Sequence, residues 1–190
     1  MSGAALRHVT AGLWGAWLLY WFLSALQVKR ARWREPFSSA AIHVVPLVLM
    51  AVLFAAPGAL PPALGRRFLP QGAFPAGLGL FLVAAGLALA AWGRAHLGRN
   101  WSGTITLKEE HALIASGPYR LIRHPIYAGI LLALLGTAIV IGEWRGLVGL
   151  ALALFAFLHR SRVEEARMRE AFPQYEDYRQ RTKALVPFVF

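Results

Sequence analysis

The chain has 190 residues, no cysteine, a hydrophobic fraction of 57%, only 15% charged residues and a formal net charge of +11. That apolar excess is too high for a soluble globule, and the missing thiols exclude disulfides, thiolate nucleophiles and thiolate metal sites. The positive charge is not spread as a nucleic-acid surface would be. Four Lys and Arg fall in 29–34, five in 94–123 and seven in 160–183, without a basic helix or an aromatic RNA-binding signature beside them.

The stretches free of charged residues predict the elements. They run from Val9 to Val28, Pro36 to Gly65, Phe68 to Gly93 and Pro125 to Gly142, with a shorter one from Gly146 to His159. A membrane helix needs about 20 such residues. Helix 1 is expected over about 9–28, with Trp14, Trp17, Tyr20 and Trp21 as aromatic anchors. Lys29-Arg30-Ala31-Arg32 follows it rather than a small-residue cleavage site, so it reads as a retained helix and not a signal peptide. Helix 2, about 38–56, contains Pro46 and His43, the latter read as a hydrogen-bonded packing residue. Pro57 to Pro75 reads as an outer loop. Helix 3, about 76–95, carries Gly77, Gly79, Gly86 and Gly93, small residues that let another helix come close.

Residues 96–118 read as a polar loop. Its Glu109, Glu110 and His111 invite a metal reading, but no second His at helical spacing accompanies them, and no metal is expected. The run after Arg145 is too short to span alone. No proline interrupts the chain between Pro125 and Pro173. A fifth helix is therefore expected from near Trp144, through the bilayer and on to about Ala171, with Glu165 and Arg169 at supporting i,i+4 spacing. The fold class expected is all-α: a polytopic integral membrane protein of about five transmembrane helices, ending in a helical hairpin that extends into the cytoplasm. Residues 1–190 form one membrane domain, 1–95 holding three helices and 96–190 the loop, hairpin and carboxy-terminal segment. Placing the three basic segments inside puts the N-terminus outside and the C-terminus in the cytoplasm, with those segments against anionic membrane lipids.

The hairpin has a consequence for depth. If it turns at Gly142-Glu143-Trp144-Arg145, equal helical rise in both arms sets His124 opposite position 163 and Tyr127 opposite position 160. Glu164 and Glu165 then lie level with Arg123 and His124. Pro125 suits the first turn of helix 4, whose free N–H groups and dipole favour a carboxylate or phosphate. Gly129 leaves room for a ligand or a helix at the backbone. Donors on one wall and two carboxylates on the other suit a zwitterion. The same groups also read as a salt-bridged helix base at the lipid headgroups, with arginines on phosphates.

Gly117-Pro118-Tyr119-Arg120, then Arg123-His124-Pro125-Ile126-Tyr127-Ala128-Gly129, then Glu164-Glu165 followed by Met168, Phe172, Tyr175, Tyr178 and Pro187 stand in ordered combination. Over residues 94–190 the chain resembles the isoprenylcysteine carboxyl methyltransferase family and the wider membrane methyltransferases that include phospholipid N-methyltransferases. The resemblance implies S-adenosylmethionine as methyl donor, bound on the cytoplasmic side. His124, Tyr127 and Gly129 would line its amino-acid end, with Arg123 and Pro125 beside them and Glu164 and Glu165 in the same pocket. The turn from Leu113 to Tyr119 would wrap the adenine.

A carboxylate acceptor is ionised at neutral pH and needs no general base. It needs an arginine, for which Arg120 and Arg94 are the candidates. An amine or hydroxyl acceptor would call for a base such as Glu109, Glu110 or His111. The leading expectation is carboxyl methylation of a prenylated cysteine or similar lipidic carboxylate entering from the membrane. The alternatives are a phospholipid or small hydrophobic molecule as acceptor, and an NADPH-dependent reductase of the steroid-reductase type. Oligomeric state is not legible.

Overall fold

A computed structural model describes residues 3–26, 36–56, 58, 60–98, 101 and 113–186. Six α-helices account for most of it: α1 Gly3–Ala25, α2 Phe37–Ala55, α3 Ala73–Leu97, α4 Pro125–Ile141, α5 Trp144–Ala171 and α6 Tyr175–Arg181. Short 3-10 turns occupy Pro62–Gly65 and Gly117–Arg120. Among the described residues three helices are long and apolar enough to cross a membrane: α2 from Ser38, α3 and α5. α4 is apolar but has 17 residues. α1 is not among the three. It spends four positions on Trp14, Trp17, Tyr20 and Trp21, whose amphipathic rings dilute its apolarity.

α3 and α4 form the closest pair. Gly79, Gly86 and Gly93 recur every two turns on α3, opposite Gly136, Gly129 and Pro125 on α4. A Cβ on Gly86 would lie 2.5 Å from the Gly129 carbonyl oxygen, and one on Gly129 would lie 2.5 Å from that of Gly86. These backbones touch without side chains between them. Gly77, expected in the same role, faces open space. α1 lies on this pair through Leu13, Trp14 and Trp17, packed against Val83, Leu87 and Ala133. Trp14 Nε1–H donates to Thr137 Oγ1 of α4 at 3.0 Å. α2 packs on α5, with Leu47, Met50 and Phe54 against Leu134, Ala153 and Phe157. His43 is buried in that seam, its ring centroid 6.2 Å from that of His159.

One end of the molecule is fixed by arginines bonded to carbonyls. α4 stops at Gly142, whose φ of 65° is left-handed. Arg67 Nη1–H donates to Ile141 O at 3.0 Å, and Phe68 N–H donates to Gly142 O at 2.9 Å. Arg145 is buried and donates to Leu53 O and Phe54 O at 2.9 and 3.2 Å. It thereby satisfies carbonyls that the end of α2 leaves over. The opposite end carries the polar cluster.

Candidate functional site

α4 begins with Pro125 at its first position, where a missing N–H costs nothing. The residues before it do not offer their N–H groups to a ligand. Arg123 N–H donates to Lys183 O at 2.8 Å and His124 N–H to Ala184 O at 3.0 Å. The expected anion site at the bare helix start is thus partly filled by the chain's own carboxy-terminal segment. Those carbonyls would otherwise be left unsatisfied.

What the structure brings together is a chain of side chains across α4 and α5. Arg123 Nε–H donates to Glu165 Oε1 at 2.7 Å, and His124 Nε2–H to the same oxygen at 3.1 Å. Arg123 Nη1–H donates to Thr182 O at 2.5 Å and Arg179 O at 3.2 Å. The Tyr127 hydroxyl donates to Glu164 Oε1 at 2.5 Å and accepts from Arg160 Nε at 2.7 Å. Arg160 also reaches Glu164 Oε1 at 3.1 Å. The Tyr127 ring stacks on His124 on one side and Phe157 on the other, centroids 5.4 and 4.7 Å away. Glu165 and Arg169 make the i,i+4 contact at 3.8 Å, secondary to the two shorter ones.

Two atoms at the centre make no hydrogen bond among the described residues. Glu164 is a quarter exposed, and its Oε2 stands 3.7 Å from His124 Nδ1, too far for a hydrogen bond. No hydrogen bond within the described residues engages Arg123 Nη2. An anionic and a cationic group, each with an unengaged atom, therefore stand in one network with a stacked tyrosine, and these are the charges a zwitterion needs.

Around this centre Tyr119 is buried, and its carbonyl accepts from Tyr178 Oη–H at 2.8 Å. Burial pushes the phenol of Tyr178 up to about 12 and that of Tyr119 higher still. Both stay protonated donors at neutral pH. Leu113, Ser116 and the 3-10 turn Gly117–Arg120 lead into α4. Gly117 has a φ of 58°, and a Cβ there would strike the His96 ring, so this turn sits directly on the end of α3. Pro125 is fully buried against Gly93. The close approach that Gly129 permits is taken by α3, at Gly86 and Ala90.

The two arginine candidates part company. Arg120 is exposed. Arg94, at the end of α3, is 3% exposed and donates to Ser24 O at 2.5 Å and Gly98 O at 2.7 Å. Its guanidinium lies 4.6 Å from the Trp101 ring and 6.0 Å from the Trp21 ring. Its Nε is buried without a hydrogen-bond partner among the described residues. Among the described residues its contacts are carbonyls and indoles, with no carboxylate. Arg160, Trp21 and Trp101 were not singled out for the site from the sequence. Glu109, Glu110 and His111 lie outside the described residues.

Comparison with known proteins points one way. Residues 78–170 match the model of the isoprenylcysteine carboxyl methyltransferase (ICMT) family. A "Probable protein-S-isoprenylcysteine O-methyltransferase" of Oryza sativa subsp. indica is 29% identical over 160 residues, covering 82% of this chain and 84% of that protein. Protein-S-isoprenylcysteine O-methyltransferase B of Arabidopsis thaliana is 30% identical over 115 residues, 58% of each chain. The cobalt-zinc-cadmium resistance protein CzcN of Cupriavidus metallidurans is 35% identical over 120 residues, 62% of this chain and 53% of that protein.

Proposed function

Because residues 78–170 match the isoprenylcysteine carboxyl methyltransferase family and the rice relative is similar over most of both chains, we propose that the chain is an integral membrane methyltransferase of that family. It uses S-adenosylmethionine to methylate the carboxylate of a prenylated cysteine or a similar lipidic acid. The observation that carries this reading is the paired arrangement of Arg123 and His124 with Glu164 and Glu165 around Tyr127.

The residues fit such a donor by their chemistry. Glu164 would take its ammonium group, and Arg123 and His124 its carboxylate, in charge-assisted hydrogen bonds. Glu165 holds both donors in place from behind. Tyr127 supplies an apolar wall, while Pro125 is packed against Gly93, and the turn from Leu113 to Tyr119 borders the adenine. Bound there, S-adenosylmethionine would supply a methyl group on a positively charged sulfur, which departs as a neutral thioether when the acceptor oxygen takes the methyl.

The chain's own contribution is position and dryness. Arg94 is the better placed arginine for the acceptor carboxylate, since it is buried among neutral partners and its Nε is unused. A desolvated cation of this kind gains from an anion. The exposed Arg120 is suited to lipid phosphate instead. No general base is required. We place the loop 57–75 outside and α6 in the cytoplasm, with α1 and α4 completing five spans, since the basic segments then lie inside.

The test is methyl transfer from radiolabelled donor to farnesylcysteine analogues, with native lipids in parallel. Transfer to the analogues supports the reading, and transfer only to phospholipid amines would replace the acceptor. Binding of NADPH without binding of S-adenosylmethionine would sink the methyltransferase.

A further inference from the structure

The guanidinium of Arg123 is anchored through Nε and Nη1. Nε–H donates to Glu165 Oε1 at 2.7 Å, and Nη1–H donates to Thr182 O at 2.5 Å and Arg179 O at 3.2 Å. Among the described residues no hydrogen bond engages Nη2. A guanidinium is a rigid planar fork, so the bonds at Nε and Nη1 decide where Nη2 points. The shorter of the two carbonyl contacts belongs to Thr182. This residue closes α6 and turns the chain into an extended conformation, with φ −130° and ψ 157°. It is 6% exposed, and its Oγ1–H donates to Tyr178 O at 2.7 Å, one turn back in α6. Tyr178 is fixed in turn by its own hydroxyl, which donates to Tyr119 O. Hydrogen bonds therefore lead from the turn Gly117–Arg120 through Tyr178 and Thr182 to Arg123.

We propose that Thr182 is a positioning residue for the methyl donor: its hydroxyl fixes its carbonyl, and the carbonyl turns Arg123 so that Nη2 meets the donor's carboxylate. The inference rests on the methyltransferase reading above, in which Arg123 takes that carboxylate. At a helix end such a hydroxyl satisfies a carbonyl that the helix leaves over. Here the residue that does so also presents the acceptor for Arg123, so any error in its placement is passed on to the guanidinium. Lys183 O and Ala184 O accept from Arg123 N–H and His124 N–H and hold the segment that follows. The hydroxyl holds Thr182 on the α6 side. A hydrogen bond to a carboxylate depends on angle as well as distance, so a modest rotation of the fork weakens it without emptying the pocket. Thr182 acts through Arg123 and not by contact with the donor.

The test measures binding of S-adenosylmethionine and of its decarboxylated analogue to the whole protein in detergent or nanodiscs by calorimetry. The two ligands differ in the carboxylate alone. Thr182→Val keeps the side-chain shape and removes the hydroxyl. It should weaken S-adenosylmethionine by about three- to ten-fold, part of what a hydrogen bond to a charged group contributes, and leave the decarboxylated analogue within about two-fold of wild type. In turnover the same variant should raise KM for the donor with kcat little changed. Thr182→Ser restores the hydroxyl and should recover the wild-type preference for the carboxylate. In an Arg123→Met background Thr182→Val should have no further effect on donor affinity, and an additive effect there overturns the proposal. Equal weakening of both ligands by Thr182→Val also overturns it, since the residue is then a helix cap and nothing more. Unchanged affinity for both overturns it as well. If the wild type binds both ligands equally, Arg123 does not hold the carboxylate: this proposal falls and the donor itself stands. A wild type that binds neither removes the donor reading and this proposal with it.

Discussion

Arg160 of α5 donates to the hydroxyl of Tyr127 of α4 at 2.7 Å, while that hydroxyl donates to Glu164 at 2.5 Å. The tyrosine therefore joins a cation to an anion across two helices, and its ring is held between His124 and Phe157. Each neighbour restrains a different degree of freedom. The hydroxyl bonds fix its reach, and the stacked rings fix its tilt.

Tyr127→Phe keeps the stack and removes the bridge. Hydrogen bonds to charged groups are worth about 1.5–3 kcal/mol each, but Arg160 and Glu164 retain their own contact. A loss of about 1–2 kcal/mol is expected. Glu164 would be less well oriented, so binding of S-adenosylmethionine weakens. Thermal unfolding in detergent reads the first effect and calorimetry the second. Unchanged donor affinity would remove Tyr127 from the site.

Glu165 is the sole acid within 3.5 Å of both Arg123 and His124 among the described residues, and it is itself only 10% exposed by side chain. Removing it leaves a largely buried guanidinium without its charge partner, so Glu165→Ala should destabilise by about 3–5 kcal/mol. Arg123→Met in the same background should recover part of that loss, because the stranded charge is gone. A double-mutant cycle followed by thermal unfolding isolates the pair. Strict additivity would mean that the two are not coupled.

How much of this was legible differs from residue to residue. Helix α5 runs from Trp144 to Ala171 as expected, because helical rise and the absence of proline fix its extent. The same rise set Tyr127 opposite position 160, yet Arg160 itself went unnamed as a site residue: level alone does not say which way a side chain turns. The Tyr178 hydroxyl donates to Tyr119 O, a packing contact that the pattern of tyrosines does not by itself reveal. The carbonyls of Lys183 and Ala184 that occupy the N–H groups before α4 left no trace in the sequence, since backbone bonds do not depend on side-chain type. The box around Arg94 joins α1, α3 and Trp101, a juxtaposition that local pattern does not reveal.

Gly86 and Gly77 separate close packing from mere composition. A Cβ on Gly86 would meet backbone atoms of α4 at 2.5 Å, whereas one on Gly77 would meet nothing within 4 Å. Gly86→Ala must push α3 and α4 apart along their whole seam, which ends at Gly93 against Pro125. We expect a loss above about 3 kcal/mol, in the range of severe overpacking, together with loss of donor binding. Gly77→Ala should be neutral or slightly stabilising through its better helix propensity. Equal behaviour of the two in thermal unfolding would contradict the packing.

The carboxy-terminal segment should loosen in alkali. Burial raises the phenols of Tyr119, Tyr175 and Tyr178, the last to about 12 against an ordinary 10. A group that holds its proton more tightly when folded contributes stability in full below the unfolded value and loses it as pH climbs toward the folded one. For Tyr178 that window runs from 10 to about 12. Tyr178→Phe should cost about 1–2 kcal/mol at neutral pH through the lost bond to Tyr119 O. It should also flatten the decline of stability above pH 10. Unfolding curves recorded from pH 8 to 11 check both, and an equally steep decline in the variant would count against Tyr178 as a source.

Arg94 and Arg120 offer the sharpest functional contrast. Arg94 is enclosed by Ser24 O, Gly98 O and two indoles, and Arg120 is exposed. If Arg94 holds the acceptor carboxylate, Arg94→Ala removes charge-assisted bonds worth about 1.5–3 kcal/mol, or roughly 10- to 150-fold in kcat/KM. Arg94→Lys should recover little. An ammonium lacks the planar fork that lies against Trp101 and reaches two carbonyls at once. Arg120→Ala should stay within about two-fold, as exposed charges away from a site usually do. Donor affinity measured on each variant shows whether the pocket has survived. An Arg94→Ala enzyme with intact donor binding and undiminished methyl transfer would move the acceptor's carboxylate to another residue, and Arg120 would be the next to test.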